Sequence, residues 1–216
     1  MSGAHRRPCL VLATRNPGKV REIAAVFAHL PIVLRSLADY PQIGEIPEEG
    51  KTYADNAGAK ALTVAAVTGE VALADDSGVE IEALEGAPGI HSARFLGEQA
   101  TDADRNARVL ALLRETPDAH RTARYRAAVA VALPAGTVRI FEGTCVGRIA
   151  RDPRGNGGFG YDPIFVPEED PRTMAEVPPD VKNRLSHRGR ALRLAEPYLI
   201  EILRLAGKDR QARGAK

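Results

Sequence analysis

The chain has 216 residues, of which 44% are hydrophobic and 27% are charged, as is ordinary for a soluble globular protein. No stretch approaches 18 consecutive apolar residues and the N-terminus lacks an apolar segment long enough for secretion, so we predict a cytoplasmic protein without membrane contact. The formal net charge is +2, but basic residues gather at the two ends and leave an acidic body, which argues against nucleic acid as a partner.

Predicted strands and helices alternate in the first half of the chain. Apolar runs of strand length lie at 9–14, 31–37, 71–75 and 79–84. After the first run, Asn16 and Pro17 are typical of a helix start, and an alanine-rich helix is predicted at about 52–67. Ser77 and Gly78 predict a hairpin turn between the last two strands. This β–α–β opening favours an α/β fold.

The second half of the chain predicts an antiparallel strand pair between two helices. Thr101 and Asp104 form a capping pattern at the start of a short helix. Two long strands joined by a short turn are predicted at 124–133 and 138–150. A glycine-rich loop at 151–163 leads towards a C-terminal helix at about 189–206, and we expect Pro197 to kink or break that helix.

The stretch TRNPGK, residues 14–19, lies where the first strand turns into the first helix. Free backbone N–H groups and the positive helix end suit phosphate there, and Lys19 adds a charge. The stretch is not a Walker A motif, because Ala13 replaces its first glycine and Val20 replaces the Ser or Thr that would hold Mg²⁺. Spacing alone favours phosphate binding and a plain helix start equally.

Several other groups of residues carry candidate binding chemistry. Asp75 and Asp76 are adjacent carboxylates after an apolar run, which indicates either a solvated turn or a cation site. Phe159 stands between glycines and can either stack on a base or anchor its loop in the core. The remaining groups, each commonplace on a solvated surface, are Glu48 with Glu49, Asn56 with Lys60, and Lys182 with His187 and Arg188. Together, a phosphate cradle, carboxylates suited to Mg²⁺ and a stackable ring predict a nucleoside triphosphate site.

Six stretches of the chain form a recognisable series. They are ATRNPGK (13–19), GKTYADNAGAKA (50–61), ADDSG (74–78), GAPGIHSAR (86–94), GGFGYDPIF (157–165) and KNRLSHRGRAL (182–192). In this order they resemble the inosine/xanthosine triphosphate pyrophosphatase family. The resemblance implies Mg²⁺-dependent hydrolysis of noncanonical purine nucleotides (ITP, dITP, XTP) to the monophosphate and pyrophosphate. It also implies an elongated central mixed sheet flanked by helices, two lobes with a cleft between them, and a homodimer.

The resemblance also implies roles for individual residues. Asp76 would be the catalytic proton acceptor and a metal ligand, and Glu48 would be another metal ligand. The substrate-binding residues would be Thr14, Arg15, Asn16, Pro17, Gly18, Lys19, Lys60, Ser77, Phe159, Gly160, Tyr161, Asp162, Lys182, His187 and Arg188. Of these, His187 or Arg188 is our candidate donor to the purine 6-oxo group. The family often has threonine where this chain has Glu49, so the choice between Glu48 and Glu49 stays open, and we favour Glu48.

The sequence also carries an expectation about the directions in which Asp75 and Asp76 point. Because side chains alternate along a strand, Asp75 and Asp76 can face one site only if the strand ends there. We expect Ser77 and Gly78 to supply that ending, with Asp76 as the working carboxylate and Asp75 as a second metal or water ligand.

The sequence also predicts the domain bounds and leaves two alternative functions open. We predict a flexible N-terminus over 1–8, a single bilobed domain over 9–206 and a basic flexible tail over 207–216. The alternatives to the implied function are a triphosphatase for modified pyrimidine nucleotides on a related fold and a nucleotide sensor that does not hydrolyse its ligand.

Overall fold

The structure is a computed structural model that describes the backbone of residues 7–214 and the side chains of residues 7–204. Its strands are β1 (Cys9–Leu12), β2 (Val33–Ser36), β3 (Val71–Ile81), β4 (Thr122–Ala132), β5 (Val138–Ile149) and β6 (Phe165–Pro167). Its α-helices are α1 (Pro17–Val26), α2 (Tyr53–Thr68), α3 (Asp102–Leu112), α4 (Pro179–Leu185) and α5 (His187–Gly214). Within the described residues, the six strands form one sheet ordered β2-β1-β3-β4-β5-β6.

The sheet is mixed, as predicted, and its core divides into two ends. β1 is parallel to β2 and β3, whereas β3, β4, β5 and β6 pair antiparallel. At one end, α1 and α5 cover one face of the sheet through Leu10 and Leu12, and α2 covers the other face through Val11. A third cluster, which includes Val79 and Phe165, fills the other end of the long strands. The two core regions agree with the predicted bilobed architecture.

The strand order places a break in pairing beside α1. β1 ends at Leu12 opposite Leu73, and the backbone N–H of Ala13 donates to the Leu73 carbonyl oxygen at 2.7 Å. β3 therefore continues past the end of β1, and α1 begins in the gap. Because β2 and β3 lie on opposite sides of β1, this gap is a point where the chain order reverses, which is where open α/β sheets bind ligands.

The predicted hairpin at Ser77 and Gly78 is wrong, because β3 is a single strand of 11 residues. β4 pairs with it without interruption from Ala72 to Ile81, so the ladder carries the polar residues through. Gly78 has a packing role instead of a turn role. A Cβ there would lie 2.2 Å from the carbonyl oxygen of Gly89, so only glycine allows that backbone to approach.

The C-terminal segment also differs from its prediction. α4 was not predicted, and α5 begins at His187 and continues through Pro197 to Gly214, so the helix is not broken there. Buried residues before and after the proline, Leu192 and Leu199, pack into one cluster and offset the lost backbone hydrogen bond. Most of the predicted tail, 207–214, is thus helical, while residues 1–6 and 215–216 lie outside the described residues. No helix in the described part of the chain is long and apolar enough to cross a membrane.

Two glycines give a test of the packing between β5 and α5. A Cβ at Gly143 of β5 would lie 2.1 Å from the His187 carbonyl oxygen and 2.7 Å from the Ala191 nitrogen. We expect Gly143→Ala to lower the free energy of unfolding by about 1–3 kcal/mol through overpacking. The control is Gly58→Ala inside α2, where the new Cβ would meet only Ile140 Cδ1 at 3.7 Å. That change should raise stability by about 0.5–1 kcal/mol. Urea unfolding measures both, and equal effects would contradict the packing.

Candidate active site

The start of α1 is built by local hydrogen bonds. The side-chain oxygen of Asn16 accepts from the backbone N–H of Gly18 at 2.8 Å and of Lys19 at 3.2 Å. The Thr14 hydroxyl oxygen accepts from the Asn16 N–H at 3.1 Å. The Lys19 ammonium lies 2.8 Å from the Asp75 carboxylate and donates to the Asp75 carbonyl at 2.9 Å. The sequence motif thus places a capped, positive helix end directly against β3.

A second group, which we call the carboxylate centre, consists of Glu48, Asp76 and Lys60. Lys60 Nζ of α2 lies 2.7 Å from Glu48 Oε1 and 3.3 Å from Asp76 Oδ1. Asn56, one turn earlier on α2, donates to Asp76 Oδ2 at 3.1 Å, and Arg94 donates to Glu48 Oε2 at 2.6 Å. Two carboxylates from different segments of the chain therefore contact the same ammonium group, that of Lys60. Glu49 is exposed on the same loop, so the geometry favours Glu48 over its neighbour.

Burial and neighbouring charges shift the pKa values of the two carboxylates in opposite directions. Burial raises the pKa of Asp76, and the attraction of Lys60 and Lys19 does not cancel that increase. Burial also acts to raise the pKa of Glu48, but Lys60 and Arg94 more than offset it, so the pKa of Glu48 is lowered. The two carboxylates more than offset the effect of burial on Lys60, so its pKa is raised and its ammonium stays charged. Asp76 is therefore the more basic carboxylate of the pair.

Asp75 lies on the opposite face of β3 from Asp76. Its side chain has no exposed surface and lies 2.8 Å from Lys19 Nζ and 3.0 Å from an Arg188 nitrogen. Burial acts to raise its pKa, but Arg188 and Lys19 more than offset that effect and hold the pKa well below its usual range. The expectation that both carboxylates face one site is wrong, because β3 does not end at Ser77 and the alternation continues.

Asp75 belongs to a buried ion network together with Arg188, Glu22, Lys182 and Asp162. Arg188 also pairs with Glu22 and donates to the Ser77 hydroxyl at 2.9 Å. Lys182 lies 2.6 Å from the same Glu22 and pairs with Asp162. Buried charges require such partners, because an unpaired one costs several kcal/mol. The network holds Lys182 and Arg188 in place, two of the basic residues for which the resemblance implies substrate binding.

Phe159 lies where α1 and the buried ion network meet. Its ring is half-buried, with Lys182 Nζ 4.9 Å and the Arg188 guanidinium carbon 5.4 Å from the ring centroid. The ring also packs on Gly18, where a Cβ would lie 2.5 Å from it. Asp162 holds the loop by accepting from the Phe159 N–H at 2.8 Å. The half-buried ring thus lies between the start of α1 and the buried ion network and is not a core anchor.

Not every predicted site residue points into this region. The Arg15 guanidinium donates to the carbonyls of Ile43 and Gly44, and Pro17 is exposed at the first helical position. The Gly160 N–H donates to Asp102 at 2.7 Å, and the buried Tyr161 hydroxyl donates to the Ser92 carbonyl at 2.9 Å. These contacts shape the surrounding loops.

His187 is buried beside the site. Its ring stacks on Tyr125 with centroids 4.4 Å apart and planes 5° apart. Burial, strengthened by the charge of Arg188, holds the pKa of His187 well below its usual value, so the ring is neutral. Its Nδ1 atom is buried without a hydrogen-bond partner, and such an atom is costly to leave unpaired.

Three residues of the site had no role assigned from the sequence. Glu22 joins Lys182 to Arg188, Arg94 holds Glu48, and Asn56 holds Asp76. The available signals were the spacing of Glu22 three residues after Lys19 on one helix face, and the position of Arg94 inside the GAPGIHSAR stretch.

The buried pairing of Asp75 predicts a pH-dependent effect on stability. Asp75→Asn should lower the free energy of unfolding by about 3 kcal/mol at neutral pH, because it removes a charged partner from the buried Arg188 and from the partly buried Lys19. A lowered folded-state pKa stabilises the fold above the ordinary value of 3.8, and this stabilisation is lost as the pH falls towards the lowered pKa. The difference in the free energy of unfolding between Asp75→Asn and wild type should therefore become smaller below pH 3.8. Asp180→Asn, at an exposed position, is the control for urea titrations, and a difference that does not change with pH would contradict the pairing.

Comparisons with known proteins agree on one family. The model of the Ham1 family matches residues 10–198. A dITP/XTP pyrophosphatase of Desulforamulus reducens is 50% identical over 193 residues, which cover 89% of this chain and 96% of that protein. A dITP/XTP pyrophosphatase of Geobacter sulfurreducens is also 50% identical, over 88% of this chain and 96% of its own length.

Solved structures agree with the sequence comparisons. A HAM1 protein from Coxiella burnetii has a TM-score of 0.80 at 40% identity, covering 90% of this chain and 99% of that one. A nucleoside-triphosphatase / dITP/XTP pyrophosphatase from Mycobacterium abscessus has a TM-score of 0.69 at 43% identity, covering 88% and 99%. The resemblance found in the sequence is thereby confirmed, and the chain belongs to the Ham1 family.

Proposed function

We propose that the protein hydrolyses noncanonical purine nucleoside triphosphates (dITP, ITP and XTP) to the monophosphate and pyrophosphate. The observation that carries the proposal is the convergence of Glu48 and Asp76 on Lys60, close to the positive end of α1. The names of the dITP/XTP pyrophosphatases that are half identical to this chain support the reaction and the substrate class.

The phosphate chain binds to positive charge at the sheet edge. The N-terminus of α1 and Lys19 face the point where β3 continues past β1, and helix N-termini attract phosphate. Lys60 contributes a second ammonium from α2. Charge that develops on the departing pyrophosphate is stabilised best by such preorganised groups, since they need little reorganisation.

The carboxylate centre fits a divalent cation, which we propose to be Mg²⁺. Among the described residues, no group of three or more His, Cys, Asp or Glu side chains could hold an ion by itself. Glu48 and Asp76 offer two oxygen ligands, and Mg²⁺ typically takes one or two carboxylates and completes its shell with water and substrate phosphates. Asp75 faces away and is left out of the proposed ligand set. When bound, the ion supplies positive charge at the phosphoryl group under attack.

Asp76 accepts the proton of the attacking water. The attack occurs at the α-phosphorus, and the bond to the β-phosphate breaks, so pyrophosphate leaves. Asn56 donates to Asp76 Oδ2 at 3.1 Å and so fixes the orientation of this carboxylate, which a general base requires. Burial of the centre under α2 limits competing water, which strengthens these electrostatic interactions.

Base selection is assigned to the region around Phe159. The ring offers a stacking face, and His187 and Arg188 lie on the adjoining side of the site. A donor aimed at the 6-oxo group of hypoxanthine or xanthine meets an N–H₂ donor in adenine, which leaves both donors unpaired. Such a mismatch discriminates strongly. His187 Nδ1, buried without a partner, and Arg188 are the candidate donors.

A substrate panel tests the proposed function and separates it from the alternatives. The panel contains dITP, XTP, ATP, dUTP and a modified pyrimidine triphosphate, each assayed for pyrophosphate and for orthophosphate. The proposal expects pyrophosphate from dITP and XTP only. Preference for a pyrimidine would establish the triphosphatase alternative, and binding without product would establish a sensor. The homodimer that the resemblance implies and the cytoplasmic location predicted from the sequence stay predictions, and sedimentation velocity tests the first of them.

Removal of the proposed proton acceptor should abolish most of the activity. We expect Asp76→Asn to lower turnover of dITP by at least about 100-fold, the usual contribution of a general base. The fold should survive, because asparagine keeps the shape of the side chain and its contact with Asn56. Asp152→Asn in the exposed loop is the matched control and should keep normal turnover. Normal turnover in Asp76→Asn would contradict the assignment.

The stacking assignment of Phe159 predicts a change in substrate binding. Phe159→Ala should raise the Michaelis constant for dITP about 10-fold or more and change turnover less, because stacking is lost from ground state and transition state alike. Phe141→Ala is the control, since this ring also lies beneath an arginine but packs against Tyr198 away from the site. An unchanged Michaelis constant in Phe159→Ala would exclude stacking.

A further inference from the structure

Lys60 occupies the position between the two carboxylates that the proposed function assigns to a divalent cation. Its ammonium lies 2.7 Å from Glu48 Oε1 and 3.3 Å from Asp76 Oδ1. The second oxygen of each carboxylate already accepts another hydrogen bond, Glu48 Oε2 from Arg94 and Asp76 Oδ2 from Asn56. In this structure the lysine is therefore the counter-charge that keeps two nearby carboxylates together.

An ammonium and a divalent cation cannot share this position. An ion that both carboxylates ligate would lie beside the ammonium, and like charges at that separation repel strongly where water is scarce. The Lys60 side chain is only 10% exposed, so little solvent screens the repulsion. The lysine must leave the two oxygens before the ion can bind them.

The backbone of Lys60 stays fixed while its side chain can turn away. α2 is held at its start by reciprocal hydrogen bonds between Thr52 and Asp55, and Ala57 and Ala61 on either side of Lys60 are fully buried. Movement is therefore confined to the four-carbon side chain. In the nucleotide-free protein, leaving Glu48 and Asp76 would strip a largely buried ammonium of both its ion-pair partners. A bound triphosphate offers replacement anionic oxygens.

We propose that Lys60 competes with the divalent cation in the nucleotide-free protein and gives way when a triphosphate arrives, so that cation and nucleotide bind cooperatively. This inference rests on the proposed function, because it takes Glu48 and Asp76 as the ligands. Coupling between two ligands is reciprocal, so the cation also raises the affinity for nucleotide by the same factor. Lys60 thus delays cation loading until substrate is present.

Mn²⁺ binding measured by electron paramagnetic resonance tests the competition without any activity. Wild type, Lys60→Gln and Lys51→Gln are titrated with Mn²⁺ alone and with an α,β-imido analogue of ITP, which cannot be cleaved. Lys51 is an exposed lysine of the neighbouring loop and controls for the loss of one positive charge. Without nucleotide, Lys60→Gln should bind Mn²⁺ at least about tenfold more tightly than wild type, and Lys51→Gln should differ little.

The analogue should raise the Mn²⁺ affinity of wild type and of Lys60→Gln by different factors. It should tighten Mn²⁺ binding to wild type and to Lys60→Gln, but by a smaller factor in Lys60→Gln, because no lysine has to be displaced. Equal or weaker Mn²⁺ binding by nucleotide-free Lys60→Gln would overturn the inference and leave the proposed function intact. Absence of Mn²⁺ binding in every protein, even with the analogue, would instead overturn the proposed metal site.

A second variant and the wild type keep the test decisive if Lys60→Gln does not fold. Lys60→Met removes the same charge with an apolar side chain of similar length, and circular dichroism verifies folding before titration. Wild type alone also gives a result: the inference requires that the analogue raise its Mn²⁺ affinity, and Mn²⁺ affinities that are equal with and without the analogue would overturn it.

Discussion

The alternation of side chains along β3 is the constraint on which the rest of the site depends. Two adjacent carboxylates in a continuous strand must point to opposite faces of the sheet. Asp75 faces α1 and α5, where Lys19 and Arg188 neutralise it, and Asp76 faces α2, where Lys60 does so. Each face thus supplies its own cations, and the repulsion expected from adjacent charges is resolved by separation.

Because they lie on opposite faces, the two carboxylates have different partners and oppositely shifted pKa values. Asp75 has its pKa held far below the usual range by two close cations, so it stays charged and fixes Lys19 and Arg188 in place. Asp76 keeps a raised pKa because burial outweighs the attraction of Lys60, and it shares that lysine with Glu48. Asp75 therefore stabilises the fold, and Asp76 is the residue to which we assign the proposed chemistry, although the two are neighbours in the chain. The proposed metal site and the proposed Lys60 competition both lie on the Asp76 face.

The sequence predicted most strands and helices, because apolar periodicity and capping residues are local signals. The capping predicted at Asn16 is confirmed, for example, and the antiparallel pair β4–β5 matches its prediction. The hairpin within β3 was wrong because DDSG has turn composition, whereas the ladder with β4 decides its conformation. Glu22 and Arg94 carry local sequence signals, but the partners they bind lie far apart in the chain, so the links themselves could not be predicted. Sequence motifs therefore predicted which residues lie close together better than they predicted the contacts between them.

The most direct test of the account is the fate of the oxygen from water. Hydrolysis of dITP in ¹⁸O-labelled water, followed by mass spectrometry of both products, reports which phosphorus the water attacks. Attack at the α-phosphorus, with Asp76 accepting the proton, predicts a single ¹⁸O in the nucleoside monophosphate and none in pyrophosphate. Label in pyrophosphate, or release of orthophosphate with a nucleoside diphosphate, would contradict the account.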